Sequence, residues 1–135
     1  MSSLAVRQAL QTELASYLTA EGISFIETVN DVPVSKPSTT WATVKFSAYG
    51  NENFCFTAGK GRETGVADIM IYVRPGRGYT VAVGIADGLA THFNGFDNGA
   101  GVVVVNVVPA NEATAGDDAG GWYGVLLGLE YQYYY

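Results

Sequence analysis

Residues 65–95, GVADIMIYVRPGRGYTVAVGIADGLATHFNG, decide how this chain is read. Residues 66–73 are rich in strand-forming side chains and stop at Arg74-Pro75-Gly76, a strong turn signal. From Tyr79 the apolar spacing changes to the helical period. Ala82, Ile85, Ala86, Leu89 and Phe93 share one face, and Asn94-Gly95 supplies the stop. Strand, tight turn and helix therefore follow one another within thirty-odd residues, and the remaining segments must pack around that unit.

Upstream, residues 2–21 read as a helix that Ser2 or Ser3 caps and Gly22 ends. Val6, Leu10, Leu14, Tyr17 and Leu18 make its apolar face, while Gln8, Thr12, Ser16 and Thr19 are polar but uncharged. Residues 23–29 suggest a short strand, and 31–40 a loop with Pro33 and Pro37. In 41–49 the pattern alternates. Ala42, Val44, Phe46 and Ala48 point one way, and Trp41, Thr43, Lys45, Ser47 and Tyr49 the other. Residues 50–64, with Gly50, Gly59 and Gly61, read as a projecting hairpin or a long loop. Downstream, 102–108 is almost continuously apolar, which predicts a central strand. Residues 111–121 read as an acidic loop, and 122–135 as a long closing strand with Tyr123, Val125, Leu127 and Leu129 on one face. The expected fold is α+β: one domain over 1–135, a mainly antiparallel sheet with two helices packed on it.

Composition narrows the function. The 135 residues suit a single core, and a hydrophobic fraction of 48% excludes disorder. Seven basic against 13 acidic residues leave a net charge of −6, which disfavours a phosphate-gripping nucleic-acid binder. Charged residues make up only 15%, where roughly a quarter is usual, so partner surfaces are expected to cover part of the molecule. No apolar run is long enough to span a bilayer, and the first residues lack a signal-peptide pattern, so cytoplasmic synthesis is expected.

Catalytic material is sparse. With one His and one Cys, neither a disulfide nor a Cys/His zinc set is available within the chain, and no cofactor or metal site is expected. His92, near the end of the second helix, reads as a residue that complements the helix dipole; no motif places a relay partner beside it. Cys55, between two Phe, reads as packed. Gly59-Lys60-Gly61-Arg62-Glu63-Thr64 has the wrong order for a phosphate loop and is better taken as a basic loop tip. Asp117 and Asp118, with Glu112 in the same acidic stretch, lack the spaced oxygens of a calcium loop. Two features instead suggest contacts. Gly84 and Gly88 lie one turn apart, with Thr91 extending a bare strip opposite the core stripe. An interior helical Gly costs about 1 kcal/mol relative to Ala, and close approach of a neighbouring subunit would offset it. Tyr131, Tyr133, Tyr134 and Tyr135 crowd the C-terminus, and tyrosine suits interfaces.

Taken together, the first helix from SLAVRQALQTEL, the strand WATVKFSAYG, the 65–95 unit and the closing GWYGVLLGLEYQY resemble the small tail-terminator proteins of long-tailed bacteriophages, the lambda-type family. The likeness runs over nearly the whole chain and includes no catalytic signature. It implies a non-enzymatic virion protein that forms a homo-hexameric ring on the head-proximal end of the tail tube. The ring stops tube polymerisation, meets the head–tail connector and lets DNA pass through its lumen without specific binding. On that reading Lys60 and Arg62 touch the tube protein or a neighbouring subunit. Gly84, Gly88, Thr91, Tyr133, Tyr134 and Tyr135 pack between subunits, and Glu112, Asp117 and Asp118 face the lumen or a ring face. The alternatives are another neck or head–tail joining ring component, a small-molecule binding domain, and a hydrolase built on His92 with a carboxylate in reach.

Overall fold

The computed structural model describes residues 4–25, 40–53, 59–73, 79–115 and 123–135. The elements run α1 (Leu4–Ala20), β1 (Ser24–Phe25), β2 (Trp41–Asn53), β3 (Gly61–Val73), α2 (Tyr79–Phe93), β4 (Val102–Ala115) and β5 (Tyr123–Tyr134). The strands form one sheet in the order β1-β2-β3-β5-β4. All neighbours are antiparallel except the short β1, which runs parallel to β2. The fold is α+β, with two helices on a mainly antiparallel sheet, as the periodicities predict.

The helices end where the sequence says they must. Gly22 (φ 74°) and Gly95 (φ 75°) take the left-handed conformation that closes a helix without a Cβ clash. Val6, Leu10, Leu14 and Leu18 of α1 and Ala82, Ala86, Leu89 and Phe93 of α2 are buried on one face of the sheet. There they meet Ala67, Ile69 and Ile71 of β3 and Val125, Leu127 and Leu129 of β5. Burying each of the larger aliphatic chains contributes about 1.5–3 kcal/mol. The polar face of α1 is exposed at Gln8, Thr12, Ser16 and Thr19. Burial alternates strictly along β3, so Arg62, Thr64, Val66, Asp68, Met70 and Tyr72 lie on the face away from α1 and α2.

Two expectations are corrected, and a choice left open is narrowed. The apolar run from Val102 does not lie centrally: β4 is an edge strand, and β5 sits between it and β3. Its apolar character comes from α2, which covers one face, while Val105 is 51% exposed at the first of three register shifts. Pro109 has no N–H to donate, which an edge strand tolerates and a central one does not. Second, the strand continues to Ala115, so Asn111, Glu112, Thr114 and Ala115 of the expected acidic loop are paired with β5. Of the two readings left open for 50–64, a projecting hairpin or a long loop, the described residues follow the hairpin. β2 reaches Asn53 and β3 begins at Gly61, with Glu52 opposite Arg62. The expected caps Ser2 and Ser3, the 31–39 loop, Cys55 and the Arg74-Pro75-Gly76 turn lie outside the described residues.

Candidate interaction surfaces

The hairpin base and the chain end form one patch. Arg62 pairs with Tyr134 in the β3–β5 ladder, and the backbones of Gly61 and Tyr135 exchange two hydrogen bonds of 3.1 Å. The Arg62 guanidinium donates to the Glu52 carboxylate across β2 and β3. That hydrogen bond, followed by one with Tyr134, raises its pKa above the ordinary value. Lys60 is exposed beside this pair. Lys60, Arg62, Tyr134 and Tyr135 are therefore brought together at one end of the sheet.

The tyrosines are not a free adhesive tail. Tyr131 is buried, and its hydroxyl donates to Glu63 at 3.1 Å. Tyr133 is half-buried against the core. The Tyr135 hydroxyl donates to Asn51. Only Tyr134, at 43%, counts as exposed among these four. Glycines make this possible. A Cβ on Gly65 would sit 2.4 Å from the Tyr131 hydroxyl and 2.6 Å from the Ser47 carbonyl, and one on Gly61 would meet Tyr135 at 2.5 Å. The aromatic rings cover the strand positions where side chains are absent.

The strip on α2 divides in the same way. A Cβ on Gly88 would meet the Tyr17 hydroxyl at 2.5 Å, so the close approach comes from α1 of the same chain and not from a neighbouring subunit. Gly84 is open, at the edge of a hollow of about 320 Å³ between the end of α1 and the start of α2. Thr91 is exposed, and its hydroxyl donates back to the Asp87 carbonyl at 3.0 Å. Glu112 lies on β4 opposite Val125. Asp117 and Asp118 lie outside the described residues.

Two arrangements escaped the sequence reading. His92 Nε2 lies 2.7 Å from Glu13 Oε1, joining α2 to α1. The imidazole also lies tilted against the Tyr17 ring at 4.7 Å between centroids and meets Phe93 edge-on at 5.2 Å. Glu13 is the carboxylate in reach of His92 that the hydrolase alternative asks for; both partners are about a third exposed, so as a bracket between helices the pair is of modest strength. The separation of 79 residues left no local signal for it. The second is a groove of about 720 Å³ between α1 and the turn that leads into β4. Ala5, Ala9, Phe96 and Tyr133 line it, and its charged lining residues are both acidic, Glu13 and Asp97. On the opposite side of the sheet, Tyr49 is 67% exposed at the β2 register shift between Ala48 and Gly50. Its outward position was legible in the alternation of 41–49.

Among the described residues no three His, Cys, Asp or Glu side chains cluster as a metal site, and no helix is long and apolar enough to cross a membrane. No protein-family model matches the chain, and no curated protein matches it significantly. A solved structure whose name states no function is similar in fold. It has a TM-score of 0.60 at 18% identity, over 98% of this chain and 96% of that one. That likeness defines the class as an α+β domain of this architecture.

Proposed function

We propose that this chain is a structural ring protein of a long-tailed phage, the terminator that caps the head-proximal end of the tail tube. One observation carries the reading. The two segments most responsible for the resemblance form a single unit in space, with β3 paired to β5 from Arg62–Tyr134 to Val73–Tyr123 and α2 packed across them. Low charge, α1 and α2 both on one side of the sheet, and an exposed basic Lys60 beside the hairpin agree with a subunit whose surfaces meet other proteins. On this reading the chain is not an enzyme, acts within the virion, and passes DNA through an acidic lumen that repels phosphate. The partners are further copies of itself, the tail tube protein and the head–tail connector.

The test is to mix the purified chain with polymerising tube protein and image the products by electron microscopy. Tubes of limited length bearing a ring at one end are expected. Tubes that grow on bare while the chain binds connector protein would favour the alternative, a head–tail joining ring component.

A further inference from the structure

The geometry points to a head-to-tail contact between copies of this chain, in which Tyr49 of one copy enters the groove below Glu13 and Asp97 of the next. The contact rests on the ring reading above and assigns it a surface. Tyr49 is the most exposed aromatic side chain among the described residues, and it stands on β2, at one side of the sheet. The groove lies at the other side, where α1 and the turn before β4 flank Tyr133 and Val102. A patch and its complement on different sides of one subunit make a heterologous interface, which closes into a ring when the rotation between copies allows.

The exposed charges on the two surfaces are opposite in sign. Lys45 and Lys60 are exposed on the β2 side, where Glu52 is already engaged by Arg62. In the groove Asp97 is exposed, and Glu13 keeps its carboxylate on the wall while accepting from His92 at 2.7 Å. Such rim charges select the partner and speed encounter, while a buried aromatic anchor supplies most of the affinity. Backbone pairing between copies is the less suitable route. Phe96 and Asp97 already pair with the outer edge of β4 at Val104 and Val103, and the rest of that edge is broken by register shifts and by Pro109.

Two variants break opposite halves of the contact. Tyr49→Glu removes the anchor and places an acid against the acidic groove; Ala5→Arg fills the groove with a like charge to the incoming lysines. Gln8→Arg, at an exposed position on the same wall, replaces Ala5→Arg should that variant not fold. The wild type should assemble beyond a dimer in native mass spectrometry at tens of micromolar. Each variant should keep its circular dichroism and weaken association at least about 30-fold, the loss expected for an aromatic hot spot. Mixed in equal amounts, the two variants retain one good anchor and one good groove, so they should stop at a heterodimer near twice 14.3 kDa. A monomeric wild type, variants that still assemble, or a mixture that rebuilds the full oligomer would each overturn the contact. Tube capping separates the two ideas. Variants that stay assembled while the wild type caps tubes sink the contact alone. A wild type that assembles through this contact and leaves tubes uncapped sinks the functional reading alone.

Discussion

The Tyr131 hydroxyl donates to the Glu63 carboxyl at 3.1 Å inside the helix-covered face of the sheet, with Tyr131 lying over Gly65 on the neighbouring strand. One side chain thereby satisfies a buried acid and fills the place of a missing Cβ. Tyr131→Phe keeps the ring and removes the donor, and should cost about 1–3 kcal/mol in urea unfolding. Gly65→Ala should cost a similar amount by overpacking, because a backbone carbonyl on one side prevents relaxation. A neutral Tyr131→Phe would mean that the Glu63 carboxyl is held adequately by its other contacts.

The two glycines of α2 should respond differently to alanine. Gly84 faces open space, so Gly84→Ala should stabilise the chain by about 1 kcal/mol through helix propensity alone. At Gly88 the new methyl must displace the Tyr17 hydroxyl, so the same gain is offset. Thermal midpoints of both variants check this: Gly88→Ala should lie below Gly84→Ala.

Alkaline pH should weaken the fold through Tyr72. Burial raises its phenol above the ordinary value of 10.0, in a site where the ring stacks on Trp41 at 4.2 Å. Burial, then the charge of Glu21, raises Tyr17 likewise. Above about pH 10 the unfolded chain releases these protons while the folded chain still holds them. Stability present in full below about pH 10 is therefore lost as pH rises through the folded values. Urea midpoints should hold from about pH 8 to about pH 9.5 and fall as pH rises beyond about pH 10. Tyr72→Phe should flatten part of that fall.

The hairpin must be tested by point substitution. Deleting 51–63 would remove the strand pairing of Gly61, Arg62 and Glu63 with the chain end, and so unfold one end of the sheet. Lys60→Glu alters an exposed residue outside the strand, so stability should move by no more than about 0.5 kcal/mol. On the proposed function, the same substitution should lower tube capping in the electron-microscopy assay. Unchanged capping would remove Lys60 from the tube contact and from the contact between copies alike.

Local pattern alone determined a good deal of this protein. The 3.6-residue spacing of Val6, Leu10, Leu14 and Leu18, and of Ala82, Ala86, Leu89 and Phe93, specified both helices and their buried faces. Gly22 and Gly95 specified their ends, because φ near 75° suits few other residues. The alternation of Trp41 to Tyr49 specified a strand and the direction of each side chain. Tertiary structure alone decided the rest. A continuous apolar run such as 102–108 reports burial on its faces, and says nothing of whether a strand lies beyond its edge. Glycine-rich segments read as loops because a missing side chain has no periodicity. In space Gly61 and Gly65 are strand, covered by tyrosines some seventy residues later. Gly88 met Tyr17, and Glu13 met His92, through pairings between helices that local spacing does not encode.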